Sequence, residues 1–233
     1  MNKGRFFAVG VGAGDPLDMT LRAVRTLENS DAVVFPVKNP GESSVAYDIA
    51  LAGADISGKE KIEVVFPMKS VSDYREYLND EKLHRIFEHL DRGHDVSVVT
   101  LGDVSVYSTA EYLRGYIEEK GYETHICAGI SSFSAAAAKA KISLCENRES
   151  FSVVPAVSDK VELMKKLSDF DTLVIMKAGS ALEWIVPVLK ENGLYDKALM
   201  FCNVNMSDEY IGPVTTDRKG YFTTIIVKRG GNL

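Results

Sequence analysis

Short apolar runs recur through the first half of the chain, each followed by a stretch in which apolar residues return every three or four positions. FFAV (6–9), AVVF (32–35), IEVVF (62–66) and VSVV (96–99) are too short for helices and carry the branched and aromatic side chains of buried strands. The intervening 3.6-residue period predicts helices, so strand and helix alternate. Leu17, Leu21, Val24 and Leu27 stand at i, i+4, i+7 and i+10 and predict one helical face packed on a sheet. Asp15 with Pro16 would start that helix, or Thr20 would cap a later start. Tyr74, Tyr77, Leu78, Leu83, Ile86, Phe87 and Leu90 predict a second helix over 72–91, ended by Arg92-Gly93, and a third runs from Tyr107 to Lys120 and stops at Gly121. Parallel strands with helices on both faces are implied.

Beyond Gly121 the order changes. Strands are predicted at 123–127, 151–155, 172–176, 198–204 and 222–227, with helices near 130–140, 159–168 and 180–191. Only Asn205 to Tyr221 separates the last two strands, too little for a comfortable crossover helix, which predicts a mixed sheet with an antiparallel part. The expected fold is α/β with two α/β domains, 1–120 and 121–233, joined tightly around a cleft.

The 233 residues, 45% hydrophobic and 26% charged, support a sizeable core. A net charge of -6 without a basic block weighs against a nucleic-acid partner. The opening MNKGRFFAVG is unlike a signal peptide and no run reaches membrane-spanning length, so a soluble, cytoplasmic chain with no membrane partner is expected. Cys127, Cys145 and Cys202 read as isolated buried thiols, and His84, His89, His94 and His125 lack ligand spacing, so no protein-held metal is expected.

The chemistry sits in the loops. GVGAGDPLDMTLRAVRTL (10–27) places a glycine-rich turn between a strand and a helix, but Asp15 stands where a dinucleotide turn has its third glycine. A carboxylate there opposes a pyrophosphate, and AVVF runs into Pro36-Val37-Lys38 without an acid for a ribose. No P-loop occurs. Gly12 and Gly14 would also suit a plain tight turn. Two further polar, small-residue loops favour a site: TLGDVSV (100–106) after a parallel strand, and AGISS (128–132) before the small-residue helix SAAAAKAK.

GVGAGDPLDMTLRA resembles the G-x-G-P-G-D-x-x-x-x-T opening of the tetrapyrrole methylases, S-adenosylmethionine enzymes of two α/β domains. TLGDVSVYST resembles their G-D-P loop and AGISSFSAAAA their P-G-[IV]-[ST]-S loop, with Ala13, Val104 and Ala128 in place of the usual prolines. AVVFPVKNPGESSVAYDIA (32–50), VVFPM (64–68) and TLVIMK (172–177) look like the precorrin-2 C(20)-methyltransferase branch, which in the anaerobic pathway acts on cobalt-factor II.

The resemblance implies S-adenosylmethionine, with S-adenosylhomocysteine as product, folded in the interdomain cleft, a tetrapyrrole substrate, and a homodimer. It assigns Gly12, Ala13, Leu101, Gly102, Asp103 and Val106 to the cofactor, the last four at its methionine end with Ser131 and Ser132 close by. Met176 or Lys177 and the stretch Asn203, Val204, Asn205 would contact adenosine. Asp103 also suits a turn-former, and Ser131 and Ser132 also suit helix caps. Lys38, Tyr47 and Tyr107 are substrate-side candidates, and Lys69 and Arg75 are further cations for a carboxylate-rich ligand. No catalytic residue is named, because none of these motifs offers an obvious base. Another methylase of this fold, acting on a different tetrapyrrole carbon or a non-tetrapyrrole substrate, and a cofactor-binding regulator without turnover are the alternatives.

Overall fold

A computed structural model of the chain describes residues 3–66, 78–79, 81, 83–155, 159–218 and 220–230. The chain divides into two compact units, 1–131 and 132–233.

In the first unit, β1 (Phe6–Gly10), β2 (Ala32–Val37), β3 (Glu60–Val65), β4 (Val96–Thr100) and β5 (Thr124–Cys127) form a five-stranded sheet in the order β3-β2-β4-β1-β5, all parallel. Alternating side chains divide the core between the two faces. Phe6, Ala8, Val96 and Val98 meet α3 (His84–Asp91) and α4 (Thr109–Glu119) through Ile86, Leu90, Leu113 and Ile117. Val9, Val33 and Val99 meet α1 (Leu21–Asn29) and α2 (Val45–Gly53) through Ala23, Leu27, Ile49 and Ala50. Covered on both sides, the strands read as continuous apolar runs. The buried hydroxyls of Ser97 on β4 and Ser30 after α1 bond each other at 2.6 Å.

In the second unit, β6 (Phe151–Pro155), β7 (Thr172–Met176), β8 (Ala198–Cys202), β9 (Tyr210–Pro213) and β10 (Thr223–Lys228) form a mixed sheet in the order β6-β7-β10-β8-β9. β6 and β7 are parallel, while β10 runs antiparallel to β7 and β8, and β9 antiparallel to β8. The unit also contains α5 (Ser132–Ala140), α6 (Lys160–Asp169) and α7 (Leu182–Glu191). Leu163, Leu167, Leu182, Ile185 and Leu189 of α6 and α7 pack with Leu173, Ile175, Met200, Ile225 and Val227 of the strands.

Several expectations change. The strand at 124–127, grouped by pattern with the second half, completes the first sheet beside β1. The helix expected over 72–91 is described only as α3; Tyr74, Tyr77, Lys69 and Arg75 lie outside the described residues. The helical face of Leu17, Leu21, Val24 and Leu27 does not exist as one surface, for Leu17 and Leu21 are 90% and 77% exposed. Both proposed starts are used in succession: Asp15 caps a 3-10 turn at Pro16–Asp18, Met19 is extended, and Thr20 caps α1 by accepting from the Ala23 N–H at 3.1 Å. The extended residue resets the helical phase, leaving Ala23 and Leu27 as the buried pair. Cys127 and Cys202 are buried as expected, but Cys145 is exposed.

Thr20 also donates to the Ala128 carbonyl at 3.3 Å. Thr20→Ala should therefore lower unfolding stability by about 1 kcal/mol, whereas Leu21→Ala should change it by less than about 0.5 kcal/mol. Denaturant titration separates the two, and equal losses would return Leu21 to the core.

Candidate functional site

The carboxyl ends of β1, β4 and β5 lie at one edge of the first sheet, where open parallel sheets receive ligands. The chain there is joined backbone to backbone. Gly12 and Gly102 form an antiparallel bridge, with the Gly102 N–H donating to the Gly12 carbonyl at 2.7 Å and the Gly12 N–H to the Gly102 carbonyl at 3.3 Å. Both have positive φ, +79° and +73°. A Cβ on Gly10 would stand 2.6 Å from the Gly102 oxygen and 2.8 Å from the Gly129 nitrogen, and one on Gly129 would overlap the Gly102 carbonyl. The three loops singled out in the sequence thus meet at three glycines.

Asp103 fastens the second loop to the third. Its Oδ2 accepts from the Gly129 N–H at 2.7 Å, and its Oδ1 accepts from the Ser105 N–H at 2.9 Å and from the Ser105 hydroxyl. Burial alone would raise its pKa, but these donors outweigh burial and hold the carboxyl below its usual value. It is a turn-former, and a brace across two loops as well. Gly12, Ala13 and Gly102 are buried, whereas Leu101, Asp103, Val106 and Ser131 are half-buried in these loops; Ser132, also half-buried, begins the second unit. Ser132 opens α5, whose first-turn N–H groups have no partner within the helix and suit a carboxylate.

In the second unit, β7 and β8 point the same way on either side of β10, so their carboxyl ends adjoin the start of β10. Met176 and Lys177 follow β7; Asn203, Val204 and Asn205 follow β8. Lys177, Asn203 and Asn205 have left-handed backbones, φ 56°, 50° and 61°. Such conformations in non-glycine residues concentrate at ligand sites. The Asn203 N–H donates to the Phe222 carbonyl at 3.1 Å, and Lys177 lies over the Tyr221 ring at 5.4 Å.

The model of the family Tetrapyrrole (Corrin/Porphyrin) Methylases matches residues 5–218. The chain belongs to this family. As a tetrapyrrole methylase it is 35% identical over 179 residues, 77% of its length and 74% of the relative's, to a protein of Methanocaldococcus jannaschii named probable cobalt-precorrin-2 C(20)-methyltransferase. It is 31% identical over 234 residues, 97% of both chains, to the cobalt-precorrin-2 C(20)-methyltransferase of Salmonella typhimurium. The Thermus thermophilus uroporphyrin-III C-methyltransferase, solved in complex with S-adenosylhomocysteine, shares the fold with a TM-score of 0.68 at 19% identity, covering 97% of each chain.

The substrate-side candidates of this methylase differ in setting. Lys38 is exposed just past β2. Tyr107 is exposed before α4 with φ 49°, and partial burial raises its phenol pKa. Tyr47 is buried on α2 against Phe35 at 4.9 Å, with a hydroxyl that has no hydrogen-bond partner among the described residues and Lys61 over its ring. Sequence reasoning passed over Tyr221 and Phe222, an exposed pair packed edge-on at 5.3 Å beside Lys177 and Asn203. The signal was available: an antiparallel last strand must start next to the ends of its neighbours.

Proposed function

We propose that this methylase transfers a methyl group from S-adenosylmethionine to the C(20) meso carbon of cobalt-factor II or cobalt-precorrin-2, or of metal-free precorrin-2. The end-to-end match with the Salmonella C(20)-methyltransferase carries the reading. The sealed loops at the first sheet's carboxyl edge support the cofactor, as does the complex of the Thermus structure.

Bound there, the cofactor supplies an electrophilic methyl group on a sulfonium. Gly12, Ala13, Leu101, Gly102 and Val106 shape the receiving edge in the first unit. Ser131 and Ser132, with the first N–H groups of α5, receive a carboxylate. Asp103 braces the loops through its Gly129 and Ser105 donors and keeps acceptor capacity on Oδ2 for the methionine end of the cofactor. In the second unit, Met176, Lys177 and Asn203–Asn205 receive the nucleoside, and Lys38, Tyr47 and Tyr107 are proposed on the substrate side. Holding a nucleophilic carbon in line with a methyl group supplies up to about 7–11 kcal/mol of the barrier, and the electron-rich macrocycle provides the nucleophile. No base is assigned to the proton that leaves afterwards. The same proposal includes a cytoplasmic homodimer.

Incubation with methyl-labelled cofactor and each macrocycle, followed by NMR, should place the label on C(20), and calorimetry should show binding of S-adenosylhomocysteine but not NAD. Label on a pyrrole-ring carbon would redirect the enzyme within its family. Tight NAD binding with no response to S-adenosylhomocysteine would end the methylase reading of the site.

A further inference from the structure

We infer that Lys139, which none of the loop motifs contains, is a positioning residue for the nucleoside half of the cofactor. This rests on the proposed placement of that half at Asn203–Asn205. Lys139 lies near the end of α5, and its Nζ is 2.7 Å from the Asn205 Oδ1 and 2.8 Å from the Glu209 Oε2. The same Glu209 oxygen accepts the Asn205 backbone N–H at 2.7 Å. Lysine, glutamate and asparagine therefore close a ring around the turn that follows β8. Within the turn, the Met206 N–H donates to the Asn203 carbonyl at 2.9 Å and the Glu209 N–H to the Met206 carbonyl at 3.2 Å. The Lys139 hydrogen bond is the main reason the Glu209 carboxyl titrates below its ordinary value, followed by the Asn205 N–H.

This ring does more than an isolated surface pair, which contributes little. Asn203 and Asn205 are both left-handed, a conformation that asparagine adopts more readily than other L-residues and that the ring of contacts here holds in place. Lys139 fixes the Asn205 side chain directly and its backbone through Glu209. The helix that carries Lys139 begins at Ser132, about 10 Å away along its axis at 1.5 Å per residue. One short rod thus bears the proposed carboxylate-binding start at one end and the anchor of the nucleoside turn at the other, fixing the spacing of two contacts within this unit.

Lys139→Met should raise the KM for S-adenosylmethionine about 5- to 10-fold with kcat within 2-fold, weaken S-adenosylhomocysteine binding by the same factor, and speed hydrogen exchange at the Asn205 amide. Lys139→Arg should restore most of the affinity. Glu209→Gln should weaken binding similarly, and the double variant should be no worse than the worse single one. Raising salt to 0.5 M should bring the wild-type KM toward that of Lys139→Met and leave the variant unchanged. Wild-type affinity in a folded Lys139→Met protein, or a fall in kcat at constant KM, would overturn the inference while leaving the methylase reading intact. A wild-type protein that binds no S-adenosylhomocysteine would overturn both.

Discussion

Gly129→Ala should destroy cofactor binding and lower the melting temperature by about 6–12 °C, the equivalent of about 3 kcal/mol in a chain of this size. The added carbon would overlap the Gly102 carbonyl and press on the backbone of Gly10. All three contacts are main chain, so no side-chain rotation relieves them and the loops must separate. Gly115→Ala is the control. It lies in α4 with nothing within 4 Å of an added Cβ, so it should be neutral or slightly stabilising. Scanning calorimetry and titration with S-adenosylhomocysteine measure both effects. A Gly129→Ala protein with wild-type affinity would mean that the junction of the loops has no part in binding.

The second large effect is expected from Asp103→Ala, a side chain that the sequence left divided between ligand contact and turn formation. The change removes three hydrogen bonds to a carboxylate, and the half-exposed setting lets water replace part of them. Cofactor affinity should fall by about 2 kcal/mol, roughly 30-fold. The pH dependence distinguishes the brace from a neutral turn. A carboxyl whose folded value is lowered contributes stability in full above its ordinary value and loses it as pH falls through the folded value. Wild-type unfolding stability should therefore decline on acidification below the usual carboxylate range, and Asp103→Ala should lack that part of the decline. Identical acid profiles would reduce Asp103 to an ordinary turn residue.

The central strands of the first sheet were legible because they are covered on both faces and their sequences are dominated by apolar, branched side chains, as in β4, where every residue is buried and Ser97 is the one polar residue within the run VSVV. Two kinds of information were not local. Sheet membership of β5 depends on pairing with β1, more than 110 residues earlier, while its own exposed Ile126 looks like half of an amphipathic edge. β9 escaped notice because Tyr210–Pro213 is four residues long and contains glycine and proline, tolerable only at the sheet edge it occupies. The loops divide in the same way. Their glycines and Asp103 stood out by composition, but the contact among Gly10, Gly102 and Gly129 arises from strand order. The link from Lys139 to Glu209 passes over β6, α6, β7, α7 and β8 in sequence and carries no spacing signal.

The position of β10 between β7 and β8 sets a timetable for synthesis. The first sheet has all of its strands once residue 127 has been made, so the amino-terminal unit is free to fold while translation continues. The second sheet lacks its middle until residues 223–228 emerge, and before then β7 and β8 each present an open, apolar hydrogen-bonding edge with no neighbour to fill it. A ribosome stalled between those points holds a nascent chain with one finished unit and one adhesive half-sheet, the state in which chaperone capture or aggregation would begin.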